Sequence, residues 1–312
     1  MGDTNEHDLK WLEAPNHTII AADSDDFPEL LRQIPGPPTH LYVIGNQDAL
    51  HLPALAIVGS RNPTSGGRQN AYDFAHHLAR CGFCIVSGLA QGIDTAAHEG
   101  ALDAGATTVA FLGHGIDRVY PARNRELAHR IAVQGALCSE YPLGSPPRRE
   151  HFPQRNRLIS GLSLGTLVVE AANRSGSLIS ARLASEQGRE VFAIPGSIHN
   201  PLSRGCHRLI RQGAKLVESA DDIVSELGPL VGHLMQSAEI PAENAAAVSH
   251  YDSEYEVLLS TLSYDPASAD QLAEHSGLTI DQVSSMLLIL ELEGKIQVQV
   301  GGRYSRPHAS DH

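Results

Sequence analysis

Short apolar segments alternate with longer helical segments from Ala54 onward, and this alternation constrains the fold more than any other feature. The predicted strands are residues 55–58, 83–86, 108–112, 136–139, 166–169, 190–194 and 215–217. The predicted helices between them are residues 67–80, 95–104, 124–133, 155–162, 178–186 and 206–212. Strands that are apolar along their length and separated by helices form a parallel sheet covered on both faces. The sequence therefore predicts an α/β fold with a doubly wound, Rossmann-like, mostly parallel sheet.

The chain divides into four predicted parts. Residues 1–50 form an N-terminal extension leading into the core, with a short helix at 27–31 and an extended strand at 37–43. Residues 51–227 form the Rossmann-like domain, which we expect to bind DNA for the reasons given below. Residues 228–250 are rich in Gly, Pro, Ala and Ser, which is typical of a linker. Residues 251–305 predict helices at 255–262, 268–275 and 280–292 and then a hairpin around Gly301-Gly302, the pattern of a small winged-helix domain.

The net charge of −13 is unevenly distributed. Residues 51–227 contain 18 basic and 15 acidic residues, and 17 of the basic residues are Arg. Residues 1–50 and 251–305 each contain nine acidic and two basic residues. The guanidinium group suits phosphate recognition, so the central domain remains compatible with nucleic acid although the whole chain is acidic.

A winged helix usually indicates duplex DNA binding by its third helix, so a transcription regulator is one alternative function. Here residues 280–293 contain no Arg or Lys, and the domain is strongly acidic. Phosphates would be repelled, and we interpret this domain as a protein-contact or regulatory unit.

Most of the predicted strands run into Gly or Ser, as in Gly59-Ser60-Arg61 after the first strand of the alternation. Small residues at the carboxyl edge of a parallel sheet let backbone N–H groups approach a ligand. Ser175-Gly176-Ser177 follows a later strand and opens a helix whose N-terminus can hold an anion. Tight turns and helix capping explain the same residues without any ligand.

A hexapeptide occurs twice: Tyr120-Pro-Ala-Arg-Asn-Arg125 and Phe152-Pro-Gln-Arg-Asn-Arg157. Both copies are predicted to begin helices on the same edge of the sheet, where an aromatic ring can stack on a base and Arg can hold phosphates. The second copy lies in 148–157, which contains four Arg and one Glu. Two similar helix starts with solvated arginines would produce the same pattern.

No catalytic residue, cofactor or metal ligand is predicted, because the sequence has no GxxxxGK[ST], GxSxG or HExxH motif. We interpret Cys81 and Cys84 as two buried small residues rather than a redox or zinc pair. A Rossmann-like nucleotide-cleaving enzyme remains an alternative, because Gly165-Thr166 with Glu170 faintly resembles a Gly-rich motif of such enzymes. The sequence predicts no signal peptide and no membrane span, so we expect a cytoplasmic protein.

The sequence closely resembles the DNA-processing protein A family (DprA, also called Smf). The resemblance runs from Phe27 to Val217 and includes Ala56 to Arg61, Ser87 to Asp94, Phe152 to Ser163, Val169 to Ala171 and Gly188 to Gly196. The tail resembles the optional winged-helix domain of that family. Many relatives also begin with a small helical domain, for which the segment before Phe27 leaves little room.

The resemblance implies a homodimer that binds single-stranded DNA, loads RecA onto it and serves natural transformation, where incoming strands need protection. A single-stranded DNA-binding protein is a further candidate partner. The resemblance assigns Arg61, Arg149 and Phe152 to the DNA pocket. Together with the charge and turn arguments, the predicted DNA-binding residues are Gly59, Ser60, Arg61, Arg123, Arg125, Arg149, Phe152, Arg155, Asn156, Arg157, Ser175, Gly176 and Ser177.

Overall fold

The computed structural model describes residues 6–237, 258, 267–280, 282–283, 286–287, 290, 296–299 and 303–305. Contacts along the chain separate two units, Met1–Ala238 and Glu239–His312. Among the described residues, no helix is both long enough and apolar enough to span a bilayer.

The first unit is built on one sheet of nine strands. They are β1 (His17–Ala21), β2 (His40–Gly45), β3 (Ala54–Val58), β4 (Cys84–Ser87), β5 (Thr108–Leu112), β6 (Ala136–Ser139), β7 (Gly165–Val168), β8 (Glu190–Ala193) and β9 (Lys215–Leu216). Their order is β1-β2-β6-β5-β4-β3-β7-β8-β9. The seven strands from β6 to β9 in that order are parallel, whereas β2 pairs antiparallel with both β1 and β6. This arrangement confirms the predicted mostly parallel, doubly wound sheet.

Helices cover both faces of the sheet. They are α1 (Glu6–Leu12), α2 (Glu29–Arg32), α3 (Ser65–Arg80), α4 (Ile93–Asp103), α5 (Arg125–Gln134), α6 (His151–Leu162), α7 (Ser177–Glu186), α8 (Arg204–Arg211) and α9 (Ala220–Ser237), with 3₁₀ turns at Gln47–His51 and Ala122–Asn124. In β3, Ala54, Ala56 and Val58 pack in the core that contains α6, α7 and α8. Leu55 and Ile57 pack on the opposite face, against α3, α4 and α9. Strict alternation along a fully buried strand thus builds two apolar layers.

The N-terminal segment contributes more to the sheet than the sequence predicted. β2 follows the predicted extended segment closely, but β1 was not predicted. β1 pairs with β2 from His17↔Ile44 to Ala21↔His40 and forms the sheet edge. Only Ile20 of its five residues is buried, so its sequence lacks the apolar run that marks the inner strands.

Two further predictions are changed. The predicted linker 228–250 begins as helix, since α9 continues to Ser237; residues 238–250 lie outside the described residues. The interpretation of Cys81 and Cys84 as two buried residues is wrong for Cys81, which is exposed just after α3, while Cys84 is buried in β4. Burial raises the pKa of the Cys84 thiol to about 12.

The second unit contains β10 (Ala267–Ser268), α10 (Ala269–Ser276), β11 (Gln297–Gln299) and β12 (Arg303–Ser305). The strands form one sheet in the order β10-β12-β11. Ser268 and Gln271 form a capping box at the start of α10. Leu258, Leu272, Val283, Met286, Leu287, Leu290 and Ile296 form its apolar core. Most of the helices predicted at 255–262 and 280–292 lies outside the described residues.

Candidate nucleic-acid interface

The candidate site lies at the carboxyl edge of the parallel strands. Strand β3 lies between β4 and β7, so the chain connections diverge at its carboxyl end, the position where open α/β sheets bind ligands. Gly59, Ser60 and Arg61 follow β3 directly. The Ser60 hydroxyl accepts a hydrogen bond from the Asn62 backbone N–H at 3.1 Å. This short turn fixes the backbone next to Arg61, whose side chain is exposed.

Arg61 and Phe152 meet although they are 91 positions apart in the sequence. The Arg61 guanidinium carbon lies 5.5 Å from the centre of the Phe152 ring, within the range of a cation–π contact. The Tyr120 ring centre lies 6.0 Å from that of Phe152, and half of the Tyr120 side chain is exposed. We call these three side chains the Arg61–Phe152 site. The site offers aromatic surface and a cation to the same ligand.

Gly113, at the end of β5, supports the Phe152 ring from behind. A Cβ atom at Gly113 would lie 3.1 Å from Phe152 Cδ1, closer than ordinary van der Waals contact. A side chain at this position would push the ring away by a few tenths of an ångström, so the glycine allows this close approach.

Arg149 lies in the loop before α6, three residues ahead of Phe152, and is exposed. Arg123 and Arg125 are also exposed, one in the 3₁₀ turn and one at the start of α5. These three arginines are sterically free to meet an anion.

Arg155 corrects the prediction made from charge. Arg155 is only 3% exposed. Its guanidinium donates hydrogen bonds to the Gly88 carbonyl at 2.7 Å and to the Phe111 carbonyl. Burial lowers the pKa of Arg155 to about 10, and the nearby Asp94 carboxylate acts in the opposite direction. Arg155 therefore connects α6 to the ends of β4 and β5 and does not offer its charge to DNA.

Arg157 and Asn156 are also engaged inside the chain. Arg157 forms an ion pair with Glu140 in which both side chains are largely buried. Asn156 Oδ1 accepts a hydrogen bond from Arg155 Nε at 3.3 Å. The Arg157 cation therefore already has an internal partner, and its predicted contact with DNA stays a prediction.

The two hexapeptides have different structures despite their shared letters. In the first copy Asn124 is buried, and its Nδ2 donates to the Leu89 carbonyl at 2.9 Å and to Thr95 Oγ1 at 3.0 Å. In the second copy the buried residue is Arg155, one position earlier in the repeat. The difference arises because the first copy passes through a 3₁₀ turn, whereas the second lies entirely within α6.

Ser175, Gly176 and Ser177 lie on the same edge, between β7 and α7. The Ser175 and Ser177 hydroxyls are hydrogen-bonded to each other at 2.6 Å, and Ser177 is buried. Within the part of the chain that the structure describes, this turn forms no hydrogen bond, ion pair or ring contact with Arg61 or Phe152. Its hydroxyls are used locally, but the expected capping by Ser is wrong, because the N-cap residue of α7 is Gly176 and no side chain caps the helix.

Glu170, just after β7, is held against the start of α3. Its carboxylate accepts hydrogen bonds from the Thr64 backbone N–H at 2.9 Å and from the Thr64 hydroxyl at 2.7 Å. Gly165 and Thr166 lie in β7 and are buried, so they do not form a phosphate-binding loop. Among the described residues, no group of three or more His, Cys, Asp or Glu side chains is arranged to hold a metal ion.

Comparison with known proteins assigns the family. The model of the family described as DNA recombination-mediator protein A matches residues 18–228, and the DprA winged helix domain model matches residues 241–302. The chain belongs to the DNA recombination-mediator protein A family. The expected family and the winged-helix domain are thereby confirmed.

Relatives in this DprA family cover most of the chain. Protein Smf of Escherichia coli (strain K12) is 44% identical over 302 residues, which are 95% of this chain and 79% of that protein. DNA processing protein DprA of Streptococcus pneumoniae is 47% identical over 217 residues, which are 70% of this chain and 76% of that protein.

Two solved DprA structures are similar as well. That of Streptococcus pneumoniae DprA has a TM-score of 0.67 and 43% identity, covering 72% of this chain and 78% of its own. That of the Helicobacter pylori protein has a TM-score of 0.62 and 31% identity, covering 68% and 95%; the work on it concerns that protein's single-stranded DNA binding mode.

Sequence reasoning missed three features of this DprA family member. Gly113 carries no chemistry, and only its closeness to Phe152 identifies it. Tyr120 was recognised in the hexapeptide but not included among the binding residues. Arg68 lies in a helix with no motif around it, and only the folded chain places it near Arg61 and Arg123 in one cavity.

Proposed function

We propose that this protein binds single-stranded DNA at the Arg61–Phe152 site and transfers the bound strand to RecA. The observation that carries the proposal is the Arg61 guanidinium 5.5 Å from the Phe152 ring centre, at the divergence point of the sheet. An unpaired base can stack on an aromatic face, which contributes roughly 1–3 kcal/mol per base. A base within a duplex is already stacked and paired, so such a site favours single strands.

The charge distribution supports the same proposal. Arg61, Arg123, Arg125 and Arg149 are exposed on the loops and helix starts of this edge. Family membership and the Helicobacter pylori relative, which is described by its single-stranded DNA binding, point to the same ligand. We further propose that the protein acts as a cytoplasmic homodimer in natural transformation, that a single-stranded DNA-binding protein coats the strands it receives, and that it performs no bond-making chemistry.

Fluorescence anisotropy with labelled oligo-dT and with a duplex of the same length tests the binding. Phe152→Ala and Arg149→Ala should each weaken oligo-dT binding by about tenfold, the size of one lost stacking or charged contact. Arg80→Ala is the matched control, since Arg80 is exposed at the last residue of α3, four residues before β4 begins and thus at the amino edge of the sheet, opposite the candidate site. Equal affinity of the wild type for duplex and single strand, or unchanged affinity of Phe152→Ala, would refute the proposal.

A RecA assay tests the transfer step. The protein should accelerate RecA-catalysed strand exchange on DNA already coated with a single-stranded DNA-binding protein, and Phe152→Ala should remove most of the acceleration. Tight DNA binding without any acceleration would reject RecA loading and leave the DNA-binding proposal standing. Light scattering after size exclusion measures the oligomeric state, and a monomer at assay concentration would contradict the dimer.

A further inference from the structure

A cavity of about 490 Å³ opens next to the Arg61–Phe152 site. Its walls come from the turn after β3, the first turns of α3 and α4, and the 3₁₀ turn before α5. The volume lies within the roughly 300–1,000 Å³ typical of small-ligand sites. We call it the Arg68 cavity. Arg61 belongs both to its wall and to the aromatic site.

Three arginines and one carboxylate set the charge of the Arg68 cavity. Arg61, Arg68 and Arg123 line it together with Glu99. Arg68 lies 3.5 Å from Glu99, and both side chains remain partly exposed. Within the described residues, Arg61 and Arg123 form no ion pair. Among the lining residues the three guanidinium groups outnumber the single carboxylate, so the lining carries a net positive charge suited to a phosphate; the Glu170 carboxylate is already hydrogen-bonded to Thr64 in the wall.

The walls of the cavity are fixed by hydrogen bonds that do not involve these arginines. Asn124 is buried and bonded to Leu89 and Thr95, as described above. The Ile93 backbone N–H donates to the Ser60 carbonyl at 3.1 Å, which joins the start of α4 to the turn after β3. Gly92 there has φ +84°, a conformation that favours glycine, and any Cβ atom would lie 2.4 Å from the Ser60 carbonyl oxygen. These contacts hold the backbone of the cavity wall without any contribution from the three arginines.

We infer that the Arg68 cavity receives the sugar and phosphate of the nucleotide next to the one stacked on Phe152. Arg61 then spans the two positions, and Arg68 and Arg123 hold the phosphate inside the cavity. This inference rests on the proposed function, since it extends the path of the same bound strand. It adds Arg68 to the interface and gives Arg123 a specific role as a phosphate ligand.

Salt-dependent binding of oligo-dT to the full chain tests the inference. For single strands, each phosphate contact contributes about 0.7 to the slope of log K against log salt. Arg68→Ala and Arg123→Ala should each reduce that slope by about 0.7 and weaken binding about tenfold at low salt. Arg80→Ala, in the same helix as Arg68 but outside the cavity, should leave both quantities unchanged.

Glu99→Gln gives a test that misfolding cannot imitate. Removing this carboxylate frees Arg68 from its partner and raises the positive charge of the cavity, so oligo-dT binding should become two- to threefold tighter, as expected for about 0.5 kcal/mol. A variant that merely disturbs the fold would bind more weakly. Unchanged or weaker binding by a Glu99→Gln protein of normal thermal stability would overturn the inference.

Two further outcomes separate this inference from the proposed function. If Phe152→Ala loses affinity while Arg68→Ala and Arg123→Ala keep the wild-type affinity and slope, the cavity is not on the DNA path and the proposed function stands. If Phe152→Ala also keeps its affinity, the proposed function fails as well. Thymidine monophosphate is the third probe: binding of this mononucleotide that depends on Arg68, with oligo-dT binding unaffected, would make the cavity a free-nucleotide site and reject the inference.

Discussion

Arg155 gives the sharpest prediction because sequence and structure assign it opposite roles. Its buried guanidinium donates to the carbonyls of Gly88 and Phe111. Asp94 is also buried, and burial raises its pKa while Arg155 lowers it. Truncating Arg155→Ala would leave the carbonyls without this donor and the carboxylate without its nearest cation. Leaving a buried carbonyl without its donor costs about 1–3 kcal/mol, so the loss of both bonds should cost roughly 3–5 kcal/mol.

The assay for Arg155→Ala is urea and thermal unfolding of the full chain. For a unit of this size, 1 kcal/mol corresponds to about 2–4 °C in Tm, so the loss should amount to roughly 10 °C. Arg155→Lys keeps the charge but cannot bond two carbonyls with the same geometry. Its Tm should therefore lie between those of the wild type and Arg155→Ala. Adding Asp94→Asn to Arg155→Ala should recover part of the loss, because the double variant no longer buries an uncompensated charge.

A different result of the same assays would refute the structural role of Arg155. If Arg155→Ala unfolds within about 1 kcal/mol of the wild type but loses oligo-dT affinity as Phe152→Ala does, then Arg155 contacts DNA directly and its structural role is refuted. Loss of affinity only at temperatures where the variant unfolds would support the structural role.

Three other predictions concern acid stability, the support behind Phe152 and salt. Burial lowers the pKa of His98 to about 3. Below pH 6.5 the unfolded chain therefore takes up a proton at His98 that the folded chain does not. The free energy of unfolding should fall by about 1.4 kcal/mol by pH 5.5. Unfolding of His98→Gln at pH 7.5 and 5.5 should show a loss smaller by that amount; an equal loss would contradict the assignment. Gly113→Ala should displace the Phe152 ring by a few tenths of an ångström and weaken oligo-dT binding less than Phe152→Ala does. A thermal melt of the variant serves as the control. Unchanged affinity would show that the position of the ring is not critical. Wild-type affinity should fall steeply with added salt, and a flat response would mean that phosphates are not bound.

The layered sheet could be predicted because its inner strands carry a local signal. β5 and β6 match the predicted boundaries, and the other parallel strands agree within one residue. β1 could not be predicted in this way, since an edge strand needs fewer apolar side chains. The antiparallel pairing of β2 with β6 is likewise a long-range contact that no local pattern in 37–43 records.

The residues of the binding site could likewise be predicted only in part. Arg61 and Phe152 were predicted from the family resemblance, and the structure brings them into contact. The error at Arg155 arose because a count of arginines does not distinguish an exposed cation from a buried one. Which residue of the hexapeptide turns inward depends on whether a 3₁₀ turn or an α-helix carries it, and the letters alone do not determine that.

The carboxylate of Glu170 has a consequence for which chemistry this sheet can perform. In Rossmann-like proteins that use nucleotides, the first helix after the switch point presents its free N–H groups to a pyrophosphate. Here that position holds an anion of the protein itself, since the Glu170 carboxylate already accepts hydrogen bonds from the Thr64 N–H and hydroxyl at the start of α3. A triphosphate at this helix start would have to displace the Glu170 carboxylate, which its own chain keeps in place. Glu170 does not itself line the Arg68 cavity, so the arginine side chains there, and Arg61 beside Phe152, remain available to the phosphates of a strand.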